Sequence, residues 1–336
     1  LVRVTDSDGV QGWGWSAVTR EAAQALLGAA LPADVSAGIA EPLGPIEYPL
    51  LDLAGKRAGQ PVYALVARNA HATPLTVPCY DTSLYMDDLG LADDAAAADL
   101  MAAEAVQGAD RGHTAFKLKV GRGAMHMPLR QGTTRDIAVV RAVRAAIGPD
   151  AKLMIDANNG YNANLARYVL AETAPERVYW LEEPFAEDAR YYAYLCEWMR
   201  REGLATFLAD GEGRAAPDLV DLARDGLVAV VQYDIRRPGF THWLTWGPRL
   251  AAVGTRAAPH NYGDPFGNYA TCHLAAALPN LEMVEWDEAD VMGIDAGGYV
   301  LRSGHVSVPA TPGFGLELDE AIWRRNVSEH GWQVSA

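Results

Sequence analysis

The chain is short of cysteine, of positive charge and of long apolar runs, and each shortage removes a class of protein. Cys79, Cys196 and Cys272 are odd in number, far apart and without a CxxC pair. That excludes a disulfide scaffold, a zinc knuckle and a dithiol redox motif, and it fits a reducing compartment such as the cytoplasm. Twenty-eight Lys and Arg against 43 Asp and Glu leave a net charge of −15. With no basic tract, neither nucleic acid nor an anionic membrane is an expected partner. No apolar run reaches the length of a membrane span, and no signal-peptide pattern opens the sequence.

Half of the 336 residues are hydrophobic and 21% are charged, a composition that fills a sizeable core. The length suits a large barrel with a smaller companion domain. Leu1 is not an initiator Met, and Val2, Val4 and Val10 around Asp6-Ser7-Asp8-Gly9 read as a hairpin already in progress. An earlier N-terminal piece is therefore expected. Residues 21–31 read as a helix stopped by Pro32, and residues 50–66 as two short helices broken at 59–61.

From about Leu75 the texture changes to short apolar strands alternating with Ala-rich helices. The candidate strands are LTVPCYD, AFKLKV, KLMIDAN, VYWLEE, TFLAD, VAVVQYD, RAAPHN and EMVEW, with helices such as 93–107, 134–147 and 164–173 between them. This alternation argues for a parallel sheet, and eight strands in about 215 residues suit a closed barrel. From about Asp295 a Gly-rich hairpin and tail are expected to pack back on the N-terminal segment.

In such a barrel the side chains at the carboxyl ends of the strands face one mouth. Those ends carry Lys117 and Lys119, Asp156, Glu182, Glu212, Asp234, His260 and Glu285. From Lys119 onward the intervals are 37, 26, 30, 22, 26 and 25 residues, each about one strand–helix unit, and scattered surface charges would not keep that phase. The stretch LMIDANNGY, residues 153–161, illustrates it: an apolar run stops on Asp156, followed by Asn158 and Gly160. Asp156, Glu182 and Glu212 put three carboxylates on consecutive strands, which is costly without a cation. Oxygen ligands with no accompanying Cys or His suit Mg²⁺. Singly, each acid has a plainer reading: an Asx turn, a charged strand end before Pro184, a turn at Gly211. Glu183 beside Glu182, and Asp210 two residues before Glu212, leave the choice of ligand open.

Lys117 and Lys119 project to one side of their strand, where mutual repulsion is expected to lower a lysine pKa toward that of a base. Alone, the pair also suits a solvated edge strand. His260, one unit after Asp234, suggests an imidazole held by a carboxylate, able to act as acid or base. Glu285 closes the ring, either as a substrate contact or as a buried structural acid.

In order, Lys117-Leu118-Lys119, Asp156-Ala157-Asn158, Glu182-Glu183-Pro184, Gly211-Glu212, Asp234 and Pro259-His260-Asn261 resemble the enolase superfamily in its mandelate racemase-like subgroup. Residues 50–66 are similar to the closing helix of that family's capping domain. The resemblance implies an α/β fold: a modified (β/α)7β TIM-type barrel with an α+β capping domain formed by the N-terminal segment and the C-terminal tail. The corresponding bounds are 1–72 for the capping domain, 73–294 for the barrel and 295–336 for the return. It also implies Mg²⁺ held by Asp156, Glu182 and Glu212, and Lys119 as base on one substrate face, with Lys117 beside it. His260, oriented by Asp234, would serve the other face, with Asn158, Glu183, Asp210 and Glu285 as supporting polar groups. Two departures stand out. The Gly-Gly pair that often follows the sixth-strand Asp is Pro238-Gly239 here, and the early capping segment that governs substrate choice falls in the expected missing piece.

A proton α to a carboxylate is weakly acidic, so its removal calls for a metal and nearby cations to stabilise the charge that develops. The resemblance implies this chemistry, leading to dehydration of an acid sugar (an aldonate or aldarate) to a 2-keto-3-deoxy acid. Tyr161, Asn261 and Tyr262 supply polar and aromatic groups near the expected mouth. Racemisation or epimerisation of a 2-hydroxy acid is the alternative on the same scaffold. A non-catalytic metal or sugar-acid binding protein is the alternative of another class, opposed by the intact base and ligand positions. The partner is then a small carboxylate, and the resemblance implies a homo-oligomer.

Overall fold

The computed structural model describes residues 1–68, 74–213, 215–263 and 265–335, the Met125 side chain excepted. It opens with an antiparallel hairpin of β1 (Val2–Thr5) and β2 (Gln11–Gly14). The turn is made by the Asp6 carboxylate, which accepts from the backbone N–H of Asp8 and Val10 at 3.0 and 2.9 Å. Next, α1 (Arg20–Ala25) is shorter than the helix expected over 21–31. None of its residues is buried and Gly28 turns the chain at φ 75°, so Ala/Leu propensity without a packed face does not sustain further turns. The expected pair of helices is present: α2 (Glu47–Ala58) ends on Gly59 at φ 63°, and α3 (Val62–Val66) starts after Pro61.

All eight apolar segments singled out in the sequence form strands: β3 (Leu75–Leu84), β4 (Ala115–Lys119), β5 (Lys152–Asp156), β6 (Trp180–Glu182), β7 (Phe207–Asp210), β8 (Val230–Val231), β9 (Arg256–Ala257) and β10 (Val284–Trp286). From β3 to β9 each pairs in parallel with the next. A parallel bridge joins Ala257 to Leu281, and β10 pairs with β3, setting Glu285 opposite Tyr80. The sheet is therefore closed. Its outer layer is α4 (Asp94–Arg111), α5 (Arg122–Met125), α6 (Leu129–Ile147), α7 (Ala163–Glu172), α8 (Ala189–Glu202), α9 (Leu219–Arg224), α10 (Phe240–Ala252) and α11 (Phe266–Leu274).

Inside the barrel a compact cluster takes one residue from each strand or its immediate flank: Tyr80, Ala115, Met154, Trp180, Ala209, Val230, Ala258 and Met283. Large and small side chains mix so that the layer fills the interior. This plug is the floor on which the polar residues stand.

The tail forms β11 (Ile294–Asp295), the hairpin β12 (Val300–Arg302) and β13 (His305–Val308), β14 (Glu317–Leu318) and a helix not anticipated there, α12 (Glu320–His330). The hairpin extends the sheet antiparallel to the first half of β3. Asp52, on α2, accepts from Trp13 N–H at 2.9 Å and Phe314 N–H at 3.0 Å, so one buried carboxylate ties the opening hairpin, α2 and the tail. The expected boundary at residues 72 and 73 lies outside the described residues. Among the described residues, no helix is long and apolar enough to cross a membrane.

Candidate active site

Side chains two residues apart on a strand share a face, so the floor fixes what stands above it. Counting two onward from each floor residue gives Thr82, Lys117, Asp156, Glu182, Gly211, Gln232, His260 and Glu285. Except for Gly211, these form a polar layer whose side chains are buried. Lys117 occupies its centre, with Nζ 2.7 Å from Glu182 Oε1, 2.7 Å from Glu285 Oε1 and 3.5 Å from Asp156 Oδ2. Lys119 reaches back to Asp156 Oδ2 and to Asn158 Oδ1 at 2.9 Å.

The lowered lysine pKa expected from the pair is corrected. Burial disfavours both ammonium groups, but Glu182 and Glu285 around Lys117, and Asp156 against Lys119, outweigh it and raise both pKa values. Attraction to the carboxylates exceeds the repulsion between the two lysines.

The backbone separates the two acids of each ambiguous pair. The strand stops at Glu182, and Glu183 takes φ 39°, so Glu183 does not simply face the opposite way; it accepts from Asn158 Nδ2 at 3.2 Å. Burial, with Glu212 and Asp156 adding to it, pushes the Glu183 carboxyl up to about 7. Asp210 turns to the Tyr192 hydroxyl of α8 and accepts from Gly211 N–H at 2.7 Å. Gly211 at φ 121° then redirects the chain and brings in Glu212.

Asp156, Glu182 and Glu212 each offer a carboxylate oxygen, all within 4.8 Å of one another. Glu212 Oε2 is buried and has no hydrogen-bond partner among the described residues. Burial and the Asp156 charge push Glu182 up to about 8, although it accepts from Trp180 Nε1 at 3.0 Å and Gln232 Nε2 at 2.8 Å. Negative charge here exceeds its compensation, and an all-oxygen donor set of this kind fits a hard divalent cation.

Across the mouth, His260 Nδ1 lies 2.8 Å from Asp234 Oδ2, and Asp234 Oδ1 accepts from the N–H groups of Arg236 and Arg237 at 2.7 and 3.0 Å. Burial alone would lower the His260 pKa; Glu285, the Asp234 hydrogen bond and Glu212 push it up to about 9. Its Nε2 is buried without a hydrogen-bond partner among the described residues, 3.4 Å from Glu212 Oε1. Glu285 is fully buried and accepts from Thr82 Oγ1 at 2.6 Å and Asn261 N–H at 2.7 Å.

Two of the expected mouth residues behave differently. Tyr161 turns away and donates to Asp136 at 3.0 Å. Tyr262 is 48% exposed, its ring 5.2 Å from that of Tyr85, whose hydroxyl is buried without a partner among the described residues. Sequence reading missed Gln232, Thr82 and Trp180, although strand alternation from Asp234 and Glu182 pointed inward at Gln232 and Trp180.

The closed parallel barrel, with a polar layer at one end, places the chain among TIM-type α/β barrel proteins. Residues 100–322 match the family described as enolase C-terminal domain-like, and the chain belongs to that family. The solved structure of a galacturonate dehydratase from a Geobacillus species, complexed with D-galacturonate and 5-keto-4-deoxy-D-galacturonate, is 48% identical. The match covers 98% of this chain and 88% of that one, with a TM-score of 0.93. A mandelate racemase/muconate lactonizing protein from a Geobacillus species, complexed with magnesium and tartrate, is 47% identical over 99% of this chain and 88% of that one, with a TM-score of 0.94. A D-gluconate dehydratase of Thermoproteus tenax is 26% identical, over 98% of this chain and 70% of the relative.

Proposed function

We propose that this protein is a Mg²⁺-dependent acid sugar dehydratase. The observation that carries the reading is a three-carboxylate set flanked by Lys117 and Lys119 on one side and by the Asp234–His260 pair on the other. Asp156, Glu182 and Glu212 would hold Mg²⁺, which when bound supplies Lewis-acid stabilisation of the charge that builds on the substrate carboxylate. Lys119 would take the proton α to that carboxylate at Nζ as the neutral amine, since the Asp156 charge that raises its pKa in the metal-free site is one the cation would engage. Lys117, caged by Glu182 and Glu285, stays cationic beside it. His260, held as imidazolium by Asp234 and Glu285, donates from Nε2 to the departing β-hydroxyl, which leaves as water. The remaining enol becomes a ketone next to the carboxylate, with a deoxy carbon beyond. Asn158, Glu183 and Glu285 orient these groups, and Asp210 braces the strand end from outside.

A uronate undergoes this chemistry as an aldonate or aldarate does, which makes D-galacturonate the first substrate to try. The test is incubation with Mg²⁺ and a panel of uronates, aldonates and aldarates, with 2-keto acid products as the readout. Absence of keto acid together with α-proton exchange in D₂O would replace dehydration with racemisation, and activity surviving EDTA would remove the metal.

On the same reading, residues 1–72 and 295–336 form an α+β capping domain over a modified (β/α)7β barrel spanning 73–294. The links through Asp52 and the donation from Tyr48 hydroxyl to Ile235 carbonyl support this arrangement. A cytoplasmic homo-oligomer completes the proposal; all three cysteines are free thiols, and sedimentation equilibrium reads the subunit number.

A further inference from the structure

Arg122 and Arg135 are fully buried and lie outside the polar layer. Arg122 donates from Nε and Nη2 to the Asp88 carboxylate at 2.6 to 3.2 Å. Its Nη1 donates to Asp136 Oδ1 and to the backbone carbonyl of Lys119, both at 2.9 Å. The other oxygen of Asp136 accepts from Gly121 N–H at 2.9 Å and Tyr161 hydroxyl at 3.0 Å. Arg135 donates to the carbonyls of Asp88 and Leu91 at 3.2 and 2.9 Å. One network thus reaches the loops that follow three consecutive strands: Asp88 after β3, Gly121 and Arg122 after β4, Tyr161 after β5.

The turns it joins are packed backbone to backbone. Gly121 takes φ 88°, and a Cβ there would come within 2.7 Å of the Ala157 carbonyl; a Cβ on Gly160 would meet the same oxygen at 2.7 Å. Val120 N–H donates to the Asp156 carbonyl at 2.8 Å. These turns end the strands that carry Lys119 and Asp156, with Asn158 in the second of them. A buried ionic network is a poor source of net stability, because desolvation offsets most of the attraction, so its effect is better sought in the geometry it fixes.

We propose that the Arg122–Asp136–Tyr161 network positions Lys119 for proton transfer. Lysine has a long flexible stem, so aiming its amine requires a hold at both ends. Asp156 and Asn158 hold Nζ, and Arg122 holds the peptide through which Lys119 leaves β4. Tyr161, at the close of LMIDANNGY, is the strut that keeps Asp136 in place for this. The inference rests on the proposed role of Lys119 as base.

The test compares Tyr161→Phe, Asp136→Asn and their double variant with wild type on an acid sugar that wild type dehydrates. Mg²⁺ affinity and the thermal midpoint are measured in parallel. Tyr161→Phe keeps the ring and is the variant chosen to fold in any event. The expected result is a kcat lower by about tenfold, with KM within about twofold, because displacement of a reacting group costs turnover more than binding. Mg²⁺ affinity stays at the wild-type value, and the double variant loses less than the product of the two single losses, since both act through one carboxylate. Wild-type kcat in Tyr161→Phe would overturn the inference, as would a kcat loss tracked by Mg²⁺ affinity or by the folded fraction. A wild type inactive on the whole panel would instead overturn the dehydratase reading, and this inference with it.

Discussion

Glu47 offers a stringent test of how the opening segment supports the barrel. The helix α10 begins after Gly239 without a side-chain cap of its own. Glu47, on α2, supplies one: Oε1 accepts from Phe240 N–H at 3.0 Å and Oε2 from Thr241 N–H at 2.9 Å. Glu47→Ala leaves the buried Phe240 N–H and the half-buried Thr241 N–H unpaired, at about 1 to 3 kcal/mol each. Release of a desolvated carboxylate returns part of that, for a net loss of about 3 kcal/mol. In a protein of this size the thermal midpoint falls by about 4 °C. Glu47→Gln retains one acceptor oxygen and loses about half as much. The pH dependence has a definite sign. Burial raises the Glu47 pKa above its ordinary value despite the two backbone N–H groups, so its contribution is full below the unfolded carboxylate pKa. It declines as pH rises through the folded one, and the gap between wild type and Glu47→Ala narrows in that direction. Gly239 N–H also donates to the Asp234 carbonyl at 3.3 Å, so kcat falls with stability. Equal losses in the Ala and Gln variants, or a loss below about 1 kcal/mol, would refute the capping argument.

Three further outcomes are expected. Gln232→Leu removes a donor to Glu182 Oε2 and weakens Mg²⁺ binding by about tenfold in calorimetric titration; unchanged affinity would show the contact to be idle. Glu212→Ala weakens Mg²⁺ binding while leaving the metal-free thermal midpoint within about 1 °C, because that side chain is 23% exposed and one of its oxygens has no partner among the described residues. His273 accepts from Tyr63 N–H at 2.9 Å, and burial pushes its pKa down to about 3. Its contribution is therefore complete above the unfolded histidine value near pH 6.5 and is lost at about 1.4 kcal/mol per pH unit below it. His273→Asn flattens the fall in thermal midpoint between pH 6 and 4, and parallel slopes would exclude the assignment.

The strands of the barrel were legible because each is an apolar run that stops on a polar residue at a regular interval, a pattern imposed by burial on both faces. Asp156, Glu182 and Glu212 were legible for the same reason, and they do converge. The sign of the lysine shifts was not, since it depends on which carboxylates stand opposite, and Glu285 reaches Lys117 only through barrel closure. Tyr161 looked like a mouth residue because it follows Asn158. The positive φ values of Asn158 and Asn159 reverse the chain between them, which residue order does not convey. The Arg122–Asp88 pairing joins side chains from separate loops, and no periodicity announces it.

Thr82 and Glu285, joined across 203 residues, close the polar layer from the first and last strands of the barrel. A chain emerging from the ribosome holds all three carboxylates well before it holds β10, yet until then Lys117 lacks one of its two nearest counter-charges. The constellation is thus complete only once the last strand of the barrel pairs with the first. The pairing that closes the sheet also completes the polar layer.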